Sequence, residues 1–314
     1  MTLSQLSYAL SLKKYLSFKT AAQLLNISQP ALSIQVKKLE EEIGIRLFNR
    51  ATSPMELTRD GEQFLIRAQE VVNNARQLEN FANELKDDFH GSLSIGIIPT
   101  LAPFLIPLFS SSLNENFPDL QLEFKEQITE QVVRNVRNGD LDCGLISTPI
   151  SVFGIKSIPL FYEKFYVYTS HNQFPDSPDI RVEDIRLDEL WLLDEGNCFR
   201  DQVGNFCDLT SMRKGRNFIY HSNSIDALIR IVDHRGGMTI LPELTTMSLN
   251  GEQEENLKII RGRQKAREIG MIVTTNHDKS RYIKLLEEYI RSNIPSHMLS
   301  PHDYEIMDPE IVMD

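Results

Sequence analysis

Cys198 and Cys207 stand nine residues apart in the segment LDEGNCFRDQVGNFC, Leu193 to Cys207. Two thiols at that spacing fit neither a CxxC redox motif nor a zinc-ligand pattern. Cys198 follows Gly196-Asn197 and precedes Phe199-Arg200-Asp201-Gln202, which reads as the start of a short helix. A helix N-terminus and the adjacent Arg200 would both favour the thiolate, the nucleophilic form of cysteine. Cys207 lies between Phe206 and Asp208 with no cation beside it, which makes it the less reactive partner.

If a helix joins the two thiols, their Cα atoms are about 13 Å apart at roughly 1.5 Å per residue. A disulfide needs roughly 4.4 to 6.8 Å. Bonding them would therefore unwind or refold the segment between. Peroxide attacked by a Cys198 thiolate would leave a sulfenic acid that condenses with Cys207. The bond would hold the segment in a second shape and shift the packing between subunits, and the glutathione or glutaredoxin pool would reverse it. The competing reading is that both cysteines are buried structural residues, as free cysteine commonly is. Cys143, in the apolar run Leu141 to Ile146, reads as inert core. The seven histidines show no ligand spacing, so neither a metal nor a cofactor is expected.

The chain that must position these groups has 314 residues, 41% hydrophobic and 25% charged, enough for two or three globular domains. No apolar run approaches the roughly 18 residues of a membrane span. Met1 to Leu10 lacks a basic start followed by an apolar block, so no signal peptide is expected. An odd cysteine count without a leader points to a reducing cytoplasm. The net charge is -11, yet residues 1–66 carry eight Lys/Arg against six Asp/Glu. That segment is thus +2 and the remainder -13. A phosphate-binding face needs only local basic charge, and the acidic remainder should sit away from DNA.

The first segment reads as helical. Leu3, Leu6, Ala9 and Leu10 form one face, and Ala21, Ala22, Leu24 and Leu25 a second apolar stretch. Ser28 can cap the next helix, with Pro30 in its first turn and Ala31, Leu32, Val36 and Leu39 as its inward stripe. Gly44 ends it, and Leu47-Phe48 to Leu57-Thr58 reads as a hairpin with Ser53-Pro54 at the tip. A long helix from about Thr58 to Phe89 carries Phe64, Ala68, Val71, Ala75, Leu78, Ala82 and Leu85 at spacings of four and three. That is a coiled-coil seam, which argues for self-pairing over packing on its own domain.

From Gly91 the period changes. Strands at Ser92–Ile98, Leu120–Phe124 and Leu141–Ser147 alternate with helices opening after Pro99-Thr100 and over Thr129–Asn138. This order implies a parallel sheet covered by helices. A second set comprises strands at Phe165–Thr169, Glu189–Leu193, Asn217–Tyr220 and Met238–Leu241 and a helix around Ser224–Val232. A strand at Ile269–Thr274 and a helix at Lys279–Ser292 follow. Two α/β lobes joined by crossing strands fit this order. The expected division is a helical domain at 1–58, a linker helix at 59–89, a two-lobed α/β domain at 90–294 and a loosely held acidic tail at 295–314.

The helix pair around Lys19 to Leu39 has the form of a helix-turn-helix, whose second helix lies in the major groove of double-stranded DNA. Gln29, Pro30, Ser33 and Gln35 open that helix, with amide and hydroxyl groups suited to base edges or phosphates, and Lys37 and Lys38 can reach the backbone. Asn49, Arg50 and Thr52 would lie on the wing. A helical dimerisation module would explain the apolar spacing equally well, but not the donor-rich outer face.

The run AAQLLNISQPALSIQVKKLEEEIGIRLFNR and the following LTRDGEQFL resemble the N-terminal domain of LysR-type transcriptional regulators. The resemblance continues through nearly all the chain. It implies an all-α winged helix-turn-helix with a linker helix and a two-lobed α/β effector domain of the periplasmic-binding-protein kind. It also implies a homo-oligomer, a dimer of dimers on an inverted-repeat operator, acting with RNA polymerase, and no enzyme activity. Two positions depart from the family pattern: Ile34 stands where Arg is usual, and the wing Ala51-Thr52-Ser53-Pro54 lacks basic residues.

Within that family the cysteine segment resembles the peroxide-sensing branch, in the nine-residue spacing and the Arg-Asp-Gln after the first cysteine. The resemblance implies that Cys198 reacts with hydrogen peroxide and Cys207 resolves it. It further implies a peroxide pocket of Thr100, Thr129, Asn197, Arg200 and Asp201. Asn197 stands where the branch often has His, and an amide cannot titrate. The alternatives are a regulator answering to a small organic effector between the lobes, with incidental cysteines, and a thiol peroxidase. The DNA-binding segment argues against the last.

Overall fold

The computed structural model describes the backbone at residues 1–50, 52, 55–84, 91–170, 177–194, 197–205, 207, 220, 222–275, 277, 279–301 and 304–309, and the side chains at all of these but 76–77 and 79–84. The chain forms two compact units, Met1–Asp88 and Phe89–Asp314.

In the first unit α1 (Leu3–Tyr15), α2 (Phe18–Leu24) and α3 (Gln29–Ile43) precede a two-stranded antiparallel ribbon, β1 (Phe48–Asn49) and β2 (Glu56–Leu57), and the long α4 (Arg59–Glu84). Ser28 caps α3 by accepting from the Ala31 N–H, Pro30 sits in the first turn, and Gly44 ends the helix at φ 72°. Leu6, Ala9, Ala21, Ala22, Leu32, Val36 and Leu39 join the core as the spacing predicts, together with Leu12, whereas Leu3, Leu24 and Ala31, expected on the same faces, are exposed. The start of α4 joins that core through Leu65, Ala68 and Val72. Ala68 is thus covered by its own domain, because the Leu65-Ala68-Val72 stripe packs towards α1, and it is unavailable to a seam between helices. Phe64 and Ala75 are half-buried, while Val71 and Leu78 are 46% and 70% exposed. Ala82 and Leu85 lie outside the described side chains.

The second unit opens as β3 (Gly91–Ile97), α5 (Ala102–Asn116), β4 (Leu120–Glu126), α6 (Thr129–Asn138) and β5 (Cys143–Thr148), with strands parallel in the order β4-β3-β5. The parallel order expected for these three strands holds, and the wider sheet they belong to is mixed. The 15-residue β6 (Ile155–Thr169) runs through both halves. It is followed by β7 (Asp179–Ile180), β8 (Leu190–Trp191), α7 (Cys198–Gly204), α8 (Ile225–Arg235), β9 (Met238–Pro242), α9 (Glu243–Thr246), α10 (Gly251–Glu254), β10 (Leu257–Ile260), β11 (Lys265–Thr274), α11 (Ser280–Asn293) and β12 (Glu305–Ile306). Antiparallel to both β5 and β6, β11 gives the first half its mixed character. The last residues of β6 pair with β9 and β10 in the second half. Only this end, Phe165–Thr169, is legible as a strand. Polar residues and Pro159, opposite a register shift at Ile269/Gly270, conceal the start. Most of the strand expected at Asn217–Tyr220 lies outside the described residues.

Two hydrophobic cores result. One gathers Leu93, Ile95, Phe109, Val132, Leu145, Phe161, Met271 and Leu286. The other gathers Phe165, Tyr168, Leu190, Ile229, Val232, Met238 and Ile240. The tail expected to be loose is held as far as residue 309. A single 3-10 turn, Ser296–Leu299, buries Met298 completely, and β12 adds to β11 in parallel. Its apolar residues, Met298, Ile306 and Met307, are the physical reason.

Candidate redox site

The three cysteines are free and buried. Asn197 caps α7, its side-chain oxygen accepting from the Phe199 N–H at 3.1 Å. α7 ends at Gly204 with Asn205 as its C-cap, and the Cys207 N–H bonds back to the Val203 carbonyl at 2.9 Å. The two thiols belong to different cores, Cys198 to the first and Cys207 to the second with Phe199 and Val203.

Thr129, the first residue of α6, donates its hydroxyl to the Cys198 sulfur at 3.2 Å. Thr100, before α5, accepts from Arg267 at 3.1 Å. Arg267 is fully buried on β11, paired with the equally buried Glu163 of β6 at 2.7 Å. Its guanidinium lies 5.0 Å from the Phe199 ring centroid. Glu163 also accepts from the Leu244 N–H at 3.0 Å. Both threonines are therefore within the site, one on the sulfur and one on the cation beside it.

Burial pushes the Cys198 thiol above its ordinary value, outweighing the opposing pull of the Thr129 hydroxyl and the Arg267 charge. Asp201 adds to the rise. Burial thus opposes the thiolate expected from the helix terminus and Arg200, and Arg267 is the cation that favours it. Arg200 instead donates to the Leu193 carbonyl at 2.9 Å. Cys207 is pushed up to about 12 by burial. Cys143 is also raised, first by burial. Sequence reasoning missed Arg267 and Glu163. The available signal was a charged residue inside an apolar strand, AREIGMIV. It also missed the role of Gln202, whose amide nitrogen donates to Ser147 at 3.0 Å and to the Met307 carbonyl at 2.7 Å.

On α3, Gln29, Pro30, Lys37 and Lys38 are exposed, Ser33 is half-buried, and Ile34 is 53% exposed among them. Lys37 lies 3.4 Å from Glu41. Gln35 accepts from Gln5 of α1 at 3.4 Å, so its amide turns inward. Arg50 is tied to Glu40 at 2.8 Å and lies over the Phe18 ring. Glu40 also accepts from the Leu47 and Phe48 N–H groups, so this pair anchors the ribbon to α3. Among the described residues no cluster of His, Cys, Asp or Glu could hold a metal ion, and no helix is long and apolar enough to cross a membrane.

A helix-turn-helix unit followed by a mixed α/β unit defines a class of DNA-binding transcription regulator. Residues 3–62 match the model of the bacterial regulatory helix-turn-helix proteins of the lysR family, and residues 86–295 that of the LysR substrate binding domain. The chain belongs to the LysR family of transcription regulators. Among curated relatives, the hydrogen peroxide-inducible genes activator of Haemophilus influenzae is 30% identical over 249 residues, covering 79% of this chain and 82% of that protein. Among solved structures, a full-length OxyR variant from Pseudomonas aeruginosa superposes with a TM-score of 0.76 at 29% identity, covering 93% of this chain and 98% of that one. An H2O2-bound variant of Corynebacterium glutamicum OxyR gives 0.58 at 26% identity, covering 93% and 92%.

Proposed function

We propose that this chain is a hydrogen-peroxide-sensing transcription regulator, switched by a reversible Cys198–Cys207 disulfide. One observation carries the reading. Two buried thiols flank one short helix, Cys198 opening α7 and Cys207 beyond its end, in two different cores, with a hydroxyl on the first sulfur and a buried cation against the neighbouring Phe199 ring. Cys198 gives up its proton and its sulfur attacks one oxygen of H2O2. The O–O bond breaks, leaving Cys198 sulfenic acid and hydroxide, and the hydroxide takes the released proton to become water. Cys207 then attacks the Cys198 sulfur, the S–S bond forms and a second water leaves. Two thiols are oxidised and one peroxide is reduced. A cellular thiol reductant such as glutathione or glutaredoxin reverses the bond.

Disulfide geometry requires an approach that a helical segment does not permit, so α7 must unwind. The remodelled segment alters the packing of a homo-oligomer, a dimer of dimers on an inverted-repeat operator, and with it the contact to RNA polymerase. Gln29, Ser33, Lys37 and Lys38 of α3 carry the DNA contacts, and Val71 and Leu78 of α4 supply the seam. The similar proteins named for peroxide induction and peroxide binding support the same reading. The test is a disulfide map of purified protein after one equivalent of peroxide, with DNA footprints before and after. Loss of two thiols to a 198–207 bond and a changed footprint are expected. A Cys198→Ser variant with an unaltered peroxide response would overturn the proposal.

A further inference from the structure

The buried ion pair packed on the Phe199 ring, one residue from Cys198, contains one charge too many for a simple activating device. If Arg267 alone were needed to favour the thiolate, an unpaired cation would do it most strongly. Instead Glu163 holds Arg267 through two nitrogens, Nε at 2.8 Å and a terminal nitrogen at 2.7 Å, both side chains fully buried. We propose that Glu163 is a positioning residue that governs Cys198 through Arg267, holding the guanidinium against the Phe199 ring and offsetting its charge. This rests on the reading of Cys198 as the reactive cysteine.

The groups around the thiol define its balance. From β11 comes Arg267, from α7 itself Asp201, and from α6 the neutral Thr129 hydroxyl. Around Arg267 lie Glu163 from β6, Thr100 from the turn before α5, and the Phe199 ring from α7. The neighbouring Lys164 and Glu243 are paired with each other at 3.2 Å. With Cys198 protonated, the buried pair is neutral. With Cys198 ionised, the interior holds a net negative charge, which a low-dielectric site disfavours. Replacing Glu163 by a neutral residue inverts this: the thiol state then leaves a bare buried cation, and the thiolate state is neutral. The wild-type arrangement thus trades peak reactivity for a resting state that a weak oxidant leaves alone.

The experiment uses the full-length reduced protein and follows iodoacetamide alkylation of Cys198 by peptide mass spectrometry across pH. Glu163→Gln is expected to lower the midpoint of the profile by about one unit and to raise the neutral-pH rate by about tenfold. Glu163→Asp, which withdraws the carboxylate by one methylene, is expected to lower it by less. It serves alone should the Gln variant fail to fold. A Glu163→Gln, Arg267→Gln double variant should return the midpoint to the wild-type value or above. Mere loosening of the packing would hydrate Cys198 and lower the midpoint as well, but the double variant would then keep the lowered midpoint instead of restoring it, and that result overturns the proposal. So does an unchanged or raised midpoint in the single variants. Alkylation reads the thiol whether or not peroxide is the signal. A parallel peroxide arm that yields no 198–207 bond would sink the sensor reading and leave this one standing.

Discussion

The Met307 carbonyl accepts from the Gln202 side-chain amide at 2.7 Å, joining the end of the chain to the middle of the redox helix. Asn205 donates to the Asp308 carbonyl at 3.2 Å, and the Met307 side chain joins the core that holds Cys207. The strand β12 fixes this strap to β11 through the Glu305 and Met307 N–H groups and through the Lys265–Glu305 pair. Every described contact between strap and helix presupposes a helical α7. The strap therefore stabilises the reduced shape. Deleting residues 304–314 removes a buried methionine, worth about 2 kcal/mol. It also removes hydrogen bonds of about 1 kcal/mol each. The expected outcome is faster disulfide formation at equal peroxide and faster alkylation of Cys207 in the reduced protein. Unchanged rates for both would show that the strap does not restrain α7.

Lys38 is exposed on α3 in a segment whose net charge is only +2. So few cations make each phosphate contact a large share of the total. Lys38→Ala should weaken operator and non-operator DNA alike and lower the magnitude of the salt slope by about 1. Gel-shift titrations at several salt concentrations test this. A loss confined to the operator would make Lys38 a base reader instead.

Local capping and periodicity made the first unit legible. Ser28, Pro30 and Gly44 mark α3 by themselves, and the β3-to-β5 alternation marks half of the second unit. What the sequence did not reveal depends on distant partners. Arg267 meets Glu163 across 104 positions and Thr100 across 167. Nothing local to either says that they share a site with Cys198. Arg200 stands two residues from Cys198 in sequence, yet its side chain donates to the Leu193 carbonyl. The same blindness applies to Ala68, whose spacing fits a seam and a domain core equally well.

Gly61 marks where α4 meets the ribbon. A Cβ there would stand 2.2 Å from the Leu47 carbonyl oxygen, which is backbone and has little room to yield. Thr58 closes the same corner, donating to the Arg46 carbonyl at 2.6 Å and accepting from the Gly61 N–H at 2.9 Å. Gly61→Ala is expected to cost about 2 kcal/mol of unfolding free energy in the DNA-binding unit. Chemical denaturation followed by a probe in residues 1–84 would register it. A loss below about 0.5 kcal/mol would mean that the corner opens freely.

Thr129→Val tests the hydroxyl on the Cys198 sulfur. The side chains are nearly the same size, so packing is kept while the donor at 3.2 Å is lost. A hydrogen bond to a charged group is worth about 1.5 kcal/mol or more, and so about tenfold in thiolate population. The oxidation rate should fall by about that factor, with its pH profile displaced upward. A rate reduced equally at all pH values would point to peroxide binding rather than thiolate stabilisation.

Cys207 makes stability depend on alkaline pH. Burial raises its folded value to about 12 from an ordinary 9.0, so the folded protein keeps this proton when the unfolded chain releases it. The unfolded state binds fewer protons in that interval, and unfolding is favoured as pH rises. The stabilisation is complete below the unfolded value and is lost progressively between 9.0 and about 12. From about pH 8 to about pH 10 the Cys207 share is about 1.4 kcal/mol. Cys143 and Cys198, also raised, act in the same direction. Urea unfolding of wild type and Cys207→Ala at both pH values isolates the share, because the variant should lose less over the interval by that amount. Equal losses would mean that Cys207 already ionises in the folded protein, and its role as a protonated, waiting partner would have to be abandoned.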